Sequence, residues 1–153
     1  MNNRETAEIA FKAFQKALNE NLINTERGDL HKDLIVHMDR PQGQPRFTYA
    51  LMATGTRIKS SCVVVISAPY KGKPCFDVGV TTLEKFRGQG FAREVLSKSI
   101  DEMKHGFARN GILEFYLEFK VDQNNIASNS LCKKIADEVI DNGASTTYMK
   151  LVG

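Results

Sequence analysis

The sequence predicts an α+β fold in which a central mixed β-sheet is flanked by helices. Three observations predict it. Apolar residues recur at helical spacing from Glu5 to Leu22, and a series of β-prone segments separated by turn residues follows. A strand then runs through a glycine turn directly into a second helix, with another strand and helix beyond.

In the first helix, Ile9, Phe11, Ala13, Phe14, Ala17, Leu18 and Leu22 are apolar, and Phe11, Phe14 and Leu18 form one stripe facing the core. The polar stretch Asn24 to Asp33 reads as a connection or a short helical turn. Leu34 to Met38 is a short strand, and Arg40 to Pro45 is a loop punctuated by two prolines and a glycine. A meander follows. Phe47 to Thr54 is a strand, Gly55 a tight turn, and Ile58 to Ser67 a second strand carrying the β-branched run Val63-Val64-Val65-Ile66. Pro69 to Pro74 reads as a turn and Cys75 to Thr82 as the third strand, in which Gly79 marks a bulge or a close ligand approach. A helix is predicted from Phe91 to Arg109, a strand from Leu113 to Val121 and a helix opening at Asn124-Asn125. Asp137 to Asp141 and Thr146 to Val152 are strands joined across the hairpin signal Asp141-Asn142-Gly143-Ala144.

The chain of 153 residues suits one domain over residues 1–153. No apolar run is long enough to span a membrane, and the N-terminus lacks the apolar core of a signal peptide. Cys62, Cys75 and Cys132 are odd in number and widely spaced, suggesting neither a zinc site nor a disulfide framework, and a reducing cytoplasm is the simplest home. The net charge of +3 favours an anionic ligand only mildly. Aromatic residues do not interleave with a basic cluster, so no nucleic acid is expected.

The stretch Arg87-Gly88-Gln89-Gly90-Phe91-Ala92 carries the functional signal. A glycine turn at a helix start offers unpaired backbone N–H groups and a partial positive charge, which together hold phosphate. The spacing fits neither the dinucleotide fingerprint nor the P-loop. It fits R/Q-x-x-G-x-G/A. Beyond the next strand, Asn125, Ser128 and Leu131 fit N-x-x-[AS]-x-x-L; read alone, Asn124 or Asn125 is equally a helix N-cap.

These two motifs, in this order and on these elements, resemble the coenzyme A-binding segments of the GNAT superfamily of N-acetyltransferases, over about Arg46 to Val152. The resemblance implies direct transfer of the acetyl group of acetyl-CoA to a primary amine within a ternary complex, the amine belonging to a small molecule or a protein. It implies that Arg87, Gly88, Gln89, Gly90, Phe91 and Ala92 hold the pyrophosphate. Val80 and Thr82 then offer backbone groups to the pantetheine arm, which Asn125 and Ser128 also meet. A homodimer is compatible with it. Where the family places a tyrosine to protonate the departing thiolate, this chain has Cys132, either an acid or a small buried hydrophobe. Asp77, Glu114 and Glu118 are the candidate bases; alternation puts Asp77 on the face opposite Val78, Val80 and Thr82 unless the strand is bulged. His31, His37 and His105 read as surface residues, with His37 the one candidate for substrate contact. Two features depart from the family: the missing tyrosine, and a helix where the family usually begins with a strand. They keep open a second class of function, a coenzyme A-binding sensor or interaction module without catalysis.

Overall fold

A computed structural model describes residues 3–153. The elements in order are α1 (Asn3–Asn19), β1 (Glu26–Arg27), β2 (Leu34–Asp39), β3 (Arg46–Met52), β4 (Ile58–Tyr70), β5 (Lys73–Thr82), α2 (Phe91–Ala108), β6 (Phe115–Asp122), α3 (Ile126–Ile135), β7 (Glu138–Asp141) and β8 (Ser145–Val152). Among the described residues the strands form one mixed sheet in the order β1-β2-β3-β4-β5-β6-β8-β7. Every neighbouring pair is antiparallel except β5 and β6, which are parallel and joined by the crossover through α2.

The two faces of the sheet are separately covered. Phe76 and Val78 of β5 and Phe115, Leu117, Phe119 and Val121 of β6 alternate onto one face. There they are buried with Val95, Leu96 and Met103 of α2 and Cys132 of α3. Phe107 of α2 meets Phe76 and Phe115 at ring-centre distances of 4.9 and 5.1 Å. This aromatic cluster clamps the roots of β5 and β6 together. On the opposite face α1 buries Phe11 against Ile35, Ala50 and Ile58, with Phe14 and Leu18 beside it, so the stripe faces the core as predicted. α1 continues across this face to touch β5 and β6.

Three details differ from the sequence reading. The polar segment before β2 contributes a two-residue edge strand, β1, paired with Ile35 and Val36. The turn expected over Pro69 to Pro74 shrinks to Lys71-Gly72, both at positive φ (49° and 75°), the backbone of a tight two-residue hairpin. Pro69 and Pro74 lie instead within strands, where the ladder slips between the Ser67–Cys75 and Tyr70–Lys73 pairs, and an absent N–H costs little there. Gly79 is not a bulge: β5 keeps an unbroken register against β4 from Cys75 to Thr82.

Candidate functional site

The sheet opens between its two parallel strands. β5 and β6 pair at Cys75–Tyr116, Phe76–Leu117 and Asp77–Glu118, and beyond that last rung no further pair joins them. The Leu83 N–H donates to the Lys59 carbonyl at 2.9 Å, which sets the phase of the β4–β5 ladder. Alternate residues of an antiparallel strand turn their peptide groups to opposite neighbours. Thr81, Gly79 and Asp77 therefore bond towards β4, while Val78, Val80 and Thr82 turn N–H and C=O towards the side from which β6 has withdrawn. Val80 and Thr82, singled out from the sequence, thus present main-chain groups to the gap.

The glycine loop follows the part of β5 that has no partner in β6. After β5 the chain makes a short turn over Glu84–Phe86 and reaches Arg87. Gly88 and Gly90 take φ of +73° and +83°, which side chains other than glycine's rarely adopt, and a Cβ at either would point into open space. Gly90 is the N-cap of α2 and makes no side-chain capping bond. As a glycine, the N-cap residue offers the first-turn N–H groups no acceptor side chain, an arrangement that suits an anion. Gln89 turns its amide back to the Lys85 carbonyl at 3.2 Å. Phe91 packs edge-on against Phe86 beneath the Lys59 ammonium, which lies 4.5 Å from its ring centre. Ala92 follows in the first turn. Arg87 is already engaged: its Nη2 donates to Glu8 Oε1 at 3.0 Å and its Nε to the Thr82 carbonyl at 3.2 Å.

On the β6 side, α3 begins beside the end of the strand. Asn125 is its N-cap, and its Oδ1 accepts the Ser128 N–H at 3.3 Å, the capping role open to it from the sequence. Asn129, which sequence reasoning passed over, donates to the carbonyls of Asp122 and Asn125 and accepts from the Tyr148 hydroxyl at 2.6 Å. It pins α3 to β6 and β8. Cys132 is buried in the main core, and burial pushes its thiol up to about 12. Burial also raises the Tyr148 phenol.

The α1 face of the slot's vertex carries charge. Asp77 and Glu118 lie opposite each other in the last rung, on the face away from Val78, Val80 and Thr82, as alternation without a bulge requires. The Ser67 hydroxyl donates to Glu118 Oε1 at 3.0 Å, and Lys120 Nζ lies 3.7 Å from the same oxygen. Asp77 has its proton affinity raised chiefly by burial; Lys120 opposes the shift and Glu118 adds to it. Glu114 is elsewhere, paired with Lys73 at 3.2 Å. His37 is engaged by the Asn24 carbonyl at 2.8 Å and by the Phe14 ring. A separate concavity of about 470 Å³ lies between α1 and the β1–β3 edge, lined by Leu18, Arg27, Ile35 and Met52 among others, and contains none of the slot's groups.

Compared by sequence, the chain matches no family profile and no curated protein. Compared by structure, it resembles a proposed acyl-CoA N-acyltransferase from Klebsiella pneumoniae, with a TM-score of 0.57 over 95% of this chain and 86% of that one, at 16% identity. It also resembles a GNAT-family acetyltransferase from Streptococcus pneumoniae, with a TM-score of 0.53 over 71% of this chain and 67% of that one, at 17% identity. A chain of the KacTA–DNA complex aligns with a TM-score of 0.50 over 68% of this chain and 67% of that one, at 17% identity. The likeness is one of architecture, and among the described residues no helix is long and apolar enough to cross a membrane. The chain has the fold of the GNAT acetyltransferases.

Proposed function

We propose that this chain is an N-acetyltransferase that moves an acetyl group from acetyl-CoA to a primary amine by direct attack in a ternary complex. The observation that carries this reading is the loss of β5–β6 pairing beyond Asp77 and Glu118, followed by a helix N-terminus with no side-chain cap. A slot of that form suits a long, thin ligand with a phosphate end. The N–H groups around Gly88, Gly90, Phe91 and Ala92 would take the pyrophosphate, and the peptide groups of Val80 and Thr82 the amide-bearing arm. Acetyl-CoA, when bound, supplies an activated thioester.

The chain's own groups then have three tasks. Holding both reactants in one cleft removes much of the entropic barrier. A strand N–H at the vertex stabilises the negative charge that develops on the carbonyl oxygen. Asp77, with its proton affinity raised by burial, takes the proton from the incoming ammonium directly or through water, and Glu118 beside it holds that ammonium in place.

Binding is tested by thermal denaturation with added acetyl-CoA. A ligand that binds only the folded state stabilises it by about 2.7 kcal/mol at roughly 100 times Kd. A rise in melting temperature with acetyl-CoA, and none with NAD or ATP, is expected; the reverse pattern overturns the reading. Release of free coenzyme A across a panel of amines then tests catalysis.

One observation favours the second reading, a coenzyme A-binding module without turnover. Cys132 replaces the expected tyrosine, and a buried thiol with a pKa near 12 is a poor proton donor to a thiolate. We assign Cys132 to packing and leave protonation of the departing thiolate to water. Cys132→Ala is expected to cost on the order of 1 kcal/mol of stability through lost burial, with turnover unchanged. Loss of turnover at constant melting temperature would reverse that assignment. A thermal shift with acetyl-CoA but no coenzyme A release from any amine would favour the module.

A further inference from the structure

We propose that Glu8 of α1 is a resident competitor at the glycine loop: its carboxylate holds the Arg87 guanidinium, and coenzyme A must displace it to bind. The proposal rests on the reading of the loop given above. An arginine fork is shaped to take oxyanions, and here it already holds one, delivered from the N-terminal helix at 3.0 Å across 79 residues of sequence. The same guanidinium donates through Nε to the Thr82 carbonyl. One side chain thus joins α1, the glycine loop and the slot wall.

The contact is suited to exchange. The side chains of Arg87 and Glu8 are 40% and 35% exposed, and ion pairs this open to water add little to stability and are readily replaced. The pyrophosphate of coenzyme A carries a charge on each phosphate where a carboxylate carries one in all, and at the start of α2 it gains backbone N–H donors as well. Turning Arg87 towards it releases both Glu8 and the Thr82 carbonyl, a main-chain acceptor in the slot. Because α1 lies across the face that carries Asp77 and Glu118 and touches β5 and β6, loosening its first turns also alters the acceptor side. The ion pair therefore sets donor affinity and couples donor binding to α1.

The test is calorimetric titration of coenzyme A into the full chain, using the wild type, Glu8→Gln, Arg87→Ala and the double variant. Glu8→Gln is expected to bind two- to fivefold more tightly than the wild type, with an unchanged melting temperature. In the Arg87→Ala background the same substitution is expected to lose this gain, since the competition runs through that guanidinium. Amide exchange over the first turns of α1 should accelerate when coenzyme A is added to the wild type. Equal or weaker binding by Glu8→Gln overturns the proposal, as does the same gain in the Arg87→Ala background. If the wild type binds coenzyme A and Glu8→Gln matches it, the proposal alone fails; if the wild type binds none, the reading of the loop fails and takes the proposal with it.

Discussion

Replacing Glu102 by alanine is expected to destabilise the fold by about 1–3 kcal/mol, because three loop N–H groups lose the carboxylate that accepts them. Glu102 lies on the buried side of α2 and is only 8% exposed. Its carboxylate accepts the N–H groups of Asp29, Leu30 and His31 at 2.8–3.2 Å, closing the loop before β2 onto the helix that starts at the glycine loop. Around this core sit partly exposed polar contacts: a His31–Asp101 hydrogen bond and the ion pairs of Lys98 with Asp33 and Arg109 with Asp29. Exposed pairs of that kind contribute little individually. The buried carboxylate dominates because three peptide groups lose their partner together. Urea denaturation checks it: the midpoint should fall by that free energy divided by the slope, with the slope itself unchanged. Glu102→Gln should recover only part of the loss, since an amide offers one acceptor oxygen where the carboxylate has two. A shift below 1 kcal/mol in Glu102→Ala would mean that water satisfies the loop as well as the carboxylate does.

The second large effect is expected at Asp77. If it is the base, Asp77→Asn should lower turnover by roughly 10²- to 10⁴-fold, the usual worth of a positioned proton acceptor, with coenzyme A affinity retained. The same substitution should stabilise the fold at neutral pH. Burial raises the folded-state pKa of Asp77, so the native chain binds this proton more tightly than the unfolded chain does. Stability linked to this group is present at low pH and is lost as pH rises through the folded-state value. Asparagine removes the buried charge. Its stabilising effect should therefore appear at pH 7 and vanish below the ordinary carboxylate range. The acidic limb of the wild-type rate profile should be displaced upward from the ordinary aspartate value and be absent in the variant. Turnover within threefold of the wild type would move the role of base to another group, with Glu118→Gln as the next variant.

Most of the architecture was legible because it is written in local pattern. The apolar stripe of α1, the β-branched run of β4 and the Asn142-Gly143 signal before β8 each depend on residues close in sequence. So does the glycine loop, whose need for positive φ at Gly88 and Gly90 can be met by few residue types. The prolines at 69 and 74 misled because a ladder slip accommodates them inside strands, and only the register shows that slip. The electrostatic partners were not legible. Ser67 and Glu118 are 51 residues apart, Glu8 and Arg87 are 79 apart, and Glu102 reaches amides more than 70 residues away. No spacing rule ties such pairs together; they exist only once the sheet order and the side of each helix are set. Asp77 and Glu118 were each identifiable as carboxylates on neighbouring strands, but that they share the last rung before the strands part is a fact of register.

A groove whose walls are main chain has a consequence for how such proteins diverge. Val80 and Thr82 face the slot with peptide groups, which nearly any residue supplies. The loop at its end asks for small residues at two positions and for little else by way of side chain. Recognition of this kind constrains backbone path rather than residue identity, so substitutions can accumulate along the slot without altering its shape. Such freedom is consistent with a chain 16% identical to a structural neighbour with which it aligns over 95% of its length. Sequence comparison weighs side chains, whereas main-chain recognition depends only on where the peptide groups lie.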